Sequence, residues 1–123
     1  MAARLQIALD LTDLAAALDV CRAAAPSIDI VEVGTLLCLS EGMPAVRALR
    51  EAFPDKELLA DVRIVRAGEK IAAMAFDAGA DLVSVVAEAP RETVSAAADV
   101  AQKRGKQIQI ELADTFETGD ARF

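Results

Sequence analysis

Asp10, Glu32, Asp61, Glu88 and Glu111 each stand in or just beyond a short aliphatic run. The runs read Ile7-Ala8-Leu9-Asp10, Val31-Glu32-Val33, Leu58-Leu59-Ala60-Asp61, Val85-Val86-Ala87-Glu88 and Ile108-Gln109-Ile110-Glu111. If such runs are parallel strands, their C-terminal ends share one edge, and that edge is where α/β proteins bind ligands. Carboxylates gathered on one rim repel each other unless a cation neutralises them. Oxygen-only ligands favour Mg²⁺, which takes one or two carboxylates and completes its shell with water and substrate oxygens. Glu32 and Asp61 are the candidate metal ligands, Glu32 because it interrupts an apolar run where an unpaired carboxylate is costly to bury. Acidic residues after strands also cap helices or charge their first turns, which is the preferred reading for Asp13 and Glu92.

Arg63 and Arg66 follow in Ala60-Asp61-Val62-Arg63-Ile64-Val65-Arg66. Strand alternation would point Asp61 and Arg63 the same way, toward a pocket. Guanidinium groups there suit a phosphate or carboxylate, gripped through a bidentate fork. Charge compensation of the acidic rim is the competing reading.

Other chemistry is excluded by composition. The chain has no His, which removes histidine general bases, His-ligated zinc and the Ser-His-Asp and Cys-His nucleophile systems. Cys21 and Cys38 lie apart in apolar segments without Cys-x-x-Cys spacing, and read as reduced core thiols. A net charge of −7 and the absence of Trp and Tyr argue against a nucleic-acid partner. No stretch reaches the ~18 uncharged apolar residues of a membrane span, and no targeting segment is visible, so a cytoplasmic protein is expected. Glycine-loop nucleotide motifs are missing.

The elements that must position these residues alternate. Strands are expected at Leu5 to Leu9, Ile28 to Val33, Glu57 to Ala60, Leu82 to Val86 and Gln107 to Leu112, each short and bounded by a charge, Gly or Pro. Four helices are expected between them. Their faces are marked by Leu14, Ala17, Leu18 and Cys21; by Val46, Leu49, Arg50 and Phe53; by Ile71, Met74, Ala75 and Ala78; and by Val94, Ala97, Ala98 and Ala101. Thr12 is the expected cap of the first helix, and Pro90 the start of the fourth. Pro26, Pro54, Gly79 and Gly105 fall where helices should stop. Runs apolar throughout indicate a parallel sheet covered on both faces.

The fold class is α/β. Two architectures fit: the N-terminal half of a (β/α)8 TIM barrel, with residues 1–123 as a single partial barrel domain, or an open flavodoxin-like sheet. Ala113 to Phe123 shows no helical pattern, whereas an intact flavodoxin-like domain would cover its last strand with a helix. Glu111-Leu112 also stands where a response-regulator receiver needs a Lys. The barrel half is therefore the expectation.

Five segments carry a family resemblance in order along the chain: Leu5-Gln6-Ile7-Ala8-Leu9-Asp10, Val31-Glu32-Val33-Gly34-Thr35-Leu36-Leu37-Cys38, Leu59-Ala60-Asp61, Ala78-Gly79-Ala80-Asp81-Leu82-Val83-Ser84-Val85 and Ile108-Gln109-Ile110-Glu111-Leu112. Together they resemble the 3-keto-L-gulonate-6-phosphate decarboxylase and 3-hexulose-6-phosphate synthase family of the orotidine-monophosphate-decarboxylase group, over the first half of its barrel. The second and fifth segments look nearer the decarboxylase branch. The resemblance implies a homodimeric Mg²⁺-dependent lyase acting on a sugar phosphate, with Glu32 and Asp61 holding the metal and Asp10 and Glu111 in the substrate site. The metal would neutralise charge on an enediolate formed as a β-keto acid loses CO2. The family signature Asp-x-Lys-x-x-Asp reads Asp61-Val62-Arg63-Ile64-Val65-Arg66 here, so Arg63 and Arg66 take two catalytic positions beside Asp10. Arg63 can hold an anion, but a guanidinium parts with its proton too reluctantly to be a good proton donor. Arg66 reverses a charge that the family contributes across its dimer interface. Weak or absent turnover is the expectation for the short chain. The alternative is a non-catalytic half-barrel interaction module.

Overall fold

The aliphatic runs become five parallel strands, and the Ala- and Leu-rich stretches become the helices that cross between them. The computed structural model describes residues 2–112. In chain order the elements are β1 (Gln6–Leu9), α1 (Leu14–Ala24), β2 (Ile30–Val33), α2 (Thr35–Glu41), α3 (Met43–Ala52), β3 (Glu57–Ile64), α4 (Gly68–Asp77), β4 (Leu82–Val86), α5 (Arg91–Lys103) and β5 (Gln107–Glu111). The expectation that Ala113 to Phe123 holds no helix falls outside the described residues.

Strand order decides between the two architectures. The sheet runs β1-β2-β3-β4-β5, with every pair parallel. A flavodoxin-like sheet reverses its winding after the first crossover, whereas a barrel adds each strand on the same side. The molecule is half of a TIM barrel, and the open-sheet alternative is excluded.

Register shows which face is covered. Leu9, Val33, Ala60 and Val83 share one row across four strands and are wholly buried. They form one core with Ala17 and Cys21 of α1, Leu37 of α2, Val46 and Leu49 of α3, and Ala72 and Ala75 of α4. Each fully buried Leu or Val here contributes about 1.5–3 kcal/mol. On the other face Gln6, Ala8, Gln107 and Gln109 are exposed. This corrects the expected cover on both faces. β1, β2 and β5 alternate, whereas the central β3 and β4 are buried on both faces; helices pack on one side, and the more polar side is the one a barrel turns inward.

Two local corrections follow from capping. Asp13, not Thr12, caps α1: its Oδ2 accepts the Ala16 N–H at 2.8 Å. The helix starts one residue later than expected, so the cap moves with it. Among the described residues there are also five α-helices rather than four, because α2 is a separate element between Gly34 and Gly42. Seven residues are too few for a periodic signal. Glu92 does lie in the first turn of α5, with Pro90 at its cap.

The N-terminal edge of the sheet is clamped by Arg50, at the end of α3. Its Nε donates to the Gly79 carbonyl at 2.8 Å and its Nη1 to the Lys56 carbonyl at 2.9 Å, while Nη2 pairs with Asp81. Asp81 also accepts from the Leu58 N–H at 3.0 Å and Lys106 Nζ at 2.7 Å. One carboxylate thus ties β3, β4 and β5 together just before they rise toward the opposite edge. Burial alone would raise the Asp81 pKa, but Lys106, the Leu58 N–H and Arg50 together outweigh it and lower it.

Candidate functional site

Asp10 follows β1, Glu32 lies within β2, Asp61 and Arg63 lie in β3, and Glu111 ends β5. Parallel pairing carries all five to the C-terminal half of the sheet. Asp61 is almost fully buried, at 6% exposure, yet it is well satisfied. Thr35 Oγ1 donates to its Oδ2 at 2.7 Å and Ser84 Oγ to its Oδ1 at 2.7 Å. Thr35 reaches Asp61 because α2 begins directly after β2, across Gly34. A Cβ on Gly34 would stand 2.1 Å from Asp10 Oδ1 and 2.6 Å from the Leu9 carbonyl oxygen, so only glycine lets β1 and β2 end this close together.

The β3–β4 ladder breaks at the site. Ala60 pairs with Val83 and Ile64 with Val85, which leaves Asp61, Val62 and Arg63 opposite Ser84 alone. This is a bulge, and Arg63 takes a left-handed φ of 45° within it. The Arg63 N–H, displaced from the ladder, donates to Ser84 Oγ at 2.8 Å. Its guanidinium meets Glu111 Oε1 at 3.0 Å through Nη2 and lies 3.7 Å from Asp61 Oδ2 through Nε. Asp61 and Arg63 do face each other, but through the bulge rather than through simple alternation.

Glu32 lies within electrostatic reach of Asp61 on the neighbouring strand. Burial raises its pKa most, the 2.9 Å hydrogen bond from Gln6 Nε2 opposes that, and the charges of Asp61 and Asp10 raise it further. Glu111 Oε2 is buried and has no partner among the described residues. These features fit a small hard cation: two neighbouring carboxylates with oxygen-only donors, mutually repelling, and an unused carboxylate oxygen on the same rim. No group of three or more His, Cys, Asp or Glu side chains gathers as a ligand set among the described residues. Water and substrate oxygens would supply whatever donors these carboxylates do not.

The structure brings Glu32, Asp61, Arg63 and Glu111 together, with Asp10 within electrostatic reach of Glu32. Arg66 is exposed beyond β3 and takes no part in the ion pairs that join Asp61, Arg63 and Glu111. Glu88 is likewise exposed. Sequence reasoning missed Gln6, Thr35 and Ser84 as partners, and their neutral side chains carry no signal of their own. Cys38 shares the neighbourhood, and burial together with the charge of Asp61 pushes its thiol up to about 11. Its Sγ donates to the Val33 carbonyl at 3.4 Å, in keeping with a packed rather than reactive thiol. No described helix is long and apolar enough to cross a membrane.

Comparison with known proteins agrees with the fold. A sequence profile of the orotidine 5′-phosphate decarboxylase / HUMPS family matches residues 3–122. The 3-keto-L-gulonate-6-phosphate decarboxylase of Escherichia coli strain K12 is 47% identical over 118 residues, covering 96% of this chain and 54% of that protein. The crystal structure of 3-keto-L-gulonate-6-phosphate decarboxylase from Vibrio cholerae superposes with a TM-score of 0.90 at 39% identity, covering 94% of this chain and 54% of the other. A 3-hexulose-6-phosphate synthase crystal structure gives the same TM-score of 0.90 and 39% identity, covering 92% and 55%. The chain spans about half the length of the relatives it matches.

Proposed function

The chain belongs to the orotidine 5′-phosphate decarboxylase / HUMPS family, and from that premise we propose that it serves sugar-phosphate lyase chemistry. The reaction we favour is decarboxylation of 3-keto-L-gulonate 6-phosphate, or the related hexulose-phosphate aldol reaction, with Mg²⁺ held by Glu32 and Asp61. The observation that carries this reading is the convergence of Glu32, Asp61 and the Arg63–Glu111 pair on one rim of a half-barrel. When bound, a divalent cation supplies positive charge where an oxyanion develops.

The protein's own residues do the rest. Thr35 and Ser84 orient the Asp61 carboxylate through hydroxyl donors without neutralising it. Asp10 and Glu111 are hydrogen-bond acceptors for substrate hydroxyls. Arg63 attracts the anionic substrate and holds charge without moving a proton. With no His in the chain, proton delivery from these residues is poor and turnover by this chain alone is expected to be low.

Calorimetric titration with Mg²⁺ tests the site. The wild type should bind with heat that Glu32→Ala and Asp61→Ala both abolish, and identical isotherms for all three would sink the metal site. Carbon dioxide release from the keto acid phosphate tests the reaction separately. We also read the protein as a cytoplasmic homodimer. β1 and β5 each have a neighbour on one side only among the described strands, and such edges invite association. The same edges and the inner face, exposed at Gln6, Ala8, Gln107 and Gln109, favour a second reading, a half-barrel module that associates without catalysis. A dimer that binds no Mg²⁺ and releases no CO2 would be that module.

A further inference from the structure

We propose that Ser84 is the positioning residue of this rim, with one hydroxyl fixing the Asp61 carboxylate and the Arg63 backbone together. Ser84 lies in β4 with 3% exposure, a buried polar side chain in an otherwise aliphatic Leu-Val-Ser-Val-Val strand. Its Oγ uses both of its capacities on β3. It donates to Asp61 Oδ1 at 2.7 Å and accepts the Arg63 N–H at 2.8 Å. Those two residues bracket a bulge in which three residues of β3 face Ser84 alone.

A bulge leaves ladder groups unpaired, and a buried N–H without a partner is costly. The hydroxyl supplies the acceptor that the β4 backbone does not. Because the Arg63 N–H occupies the Ser84 oxygen, the hydroxyl proton is left to point at Asp61. The hydrogen-bond direction is therefore set: Arg63 to Ser84 to Asp61. This chain fixes which carboxylate oxygen stays engaged and holds Arg63 in its left-handed conformation. From there the guanidinium spans to Glu111. Thr35 grips the other Asp61 oxygen from α2, and Ser84 is the hydroxyl that ties the carboxylate to the Arg63 backbone, beside the 3.7 Å approach of the guanidinium itself. Neither Ala nor Val in this row of β4 could do so, and Thr could.

The metal arm of this proposal rests on the reading of Glu32 and Asp61 as cation ligands; the Arg63 arm does not. The test compares wild type, Ser84→Ala and Ser84→Thr in the full chain, each first shown to be folded by its thermal transition. Two readouts are used: Mn²⁺ affinity by calorimetry with the metal alone, and hydrogen exchange of the Arg63 amide. Ser84→Ala should weaken Mn²⁺ binding by about tenfold or more, the scale seen when a partner that orients a ligand is lost. It should also speed Arg63 amide exchange by about tenfold relative to neighbouring β3 amides. Ser84→Thr should restore both, which a merely volume-filling role would not require. Unchanged Arg63 protection in folded Ser84→Ala overturns the proposal whatever the metal does. A wild type that binds no Mn²⁺ overturns the metal site instead, and Ser84 is then judged on the Arg63 amide alone.

Discussion

Replacing Glu32 by Gln should make the metal-free protein more stable while removing its response to Mg²⁺. Glu32 is half-buried beside Asp61, within the field of Asp10, and burial and like charge both raise its pKa. A carboxyl whose folded pKa is raised releases its proton first in the unfolded chain, so as pH climbs past about 4.3 this position costs stability. Gln is nearly isosteric, keeps an oxygen for the Gln6 Nε2 donor, and offers Asp61 an N–H in place of a repelling charge. Like charges on neighbouring strands repel, and more strongly where solvent is partly excluded. Solvent reaches Glu32 and Asp61 is already hydrogen-bonded, so a gain on the order of 1 kcal/mol is the expected scale. That corresponds to a Tm rise of about 2–6 °C in a domain of this size. The gain should vanish near pH 4, where wild-type Glu32 is itself protonated. Adding 10 mM Mg²⁺ should stabilise the wild type by about 1.4 kcal/mol for a Kd of about 1 mM, and leave the variant unmoved. Thermal melts at two pH values, with and without Mg²⁺, give all four comparisons. An unchanged or lower Tm for Glu32→Gln at pH 7 without metal would refute the reasoning, as would an equal gain at pH 4.

Asp81→Asn should cost about 2–3 kcal/mol at pH 7, because it leaves Arg50 and Lys106 short of an anionic partner at the opposite edge of the sheet. The Asp81 pKa is lowered, so its stabilisation is complete above about 3.9 and is lost as pH falls through the folded value. Melts between pH 7 and pH 2 should therefore show wild type and variant converging at the acid end. Gly34→Ala should destabilise by about 1–3 kcal/mol, since its Cβ would meet Asp10 Oδ1 and the Leu9 carbonyl well inside contact distance. Denaturant unfolding measures that loss, and a neutral result would mean that the ends of β1 and β2 are less tightly apposed than described.

Much of the scaffold was legible because it depends on local pattern. Four of the five aliphatic runs are strands within two residues of their expected bounds, while β3 runs four residues past Ala60 to Ile64, and glycines at 79 and 105 end helices with positive φ. The parts that depend on tertiary partners were not legible. Helix α2 is too short to declare a period, and the partly exposed inner face reads as core when only aliphatic content is counted, although Gln107 and Gln109 mark it in hindsight. At the site, the charged residues announced themselves: Glu32 by interrupting an apolar run, and Asp61 and Arg63 by their spacing. The groups that orient them did not, because Thr35 and Ser84 are ordinary residues for a helix start and a strand.

The bulge is the least visible feature and the most consequential one. Neither Gly nor Pro marks it, and Asp61-Val62-Arg63 reads as a continuing strand. Its position nevertheless follows from what clamps β4. At the N-terminal edge the Asp81 N–H donates to the Leu58 carbonyl at 2.7 Å while the Asp81 carboxylate accepts the Leu58 N–H, so the β3–β4 register is locked there. The ladder then runs regularly through Leu59–Leu82 and Ala60–Val83. Any surplus residues in β3 must therefore appear beyond Ala60, on the C-terminal side, opposite the first β4 side chain able to satisfy them. That side chain is Ser84. A clamp at one edge of the sheet thus delivers the irregularity to the other, where a left-handed arginine and a buried carboxylate can be held at one rim without disturbing the core beneath.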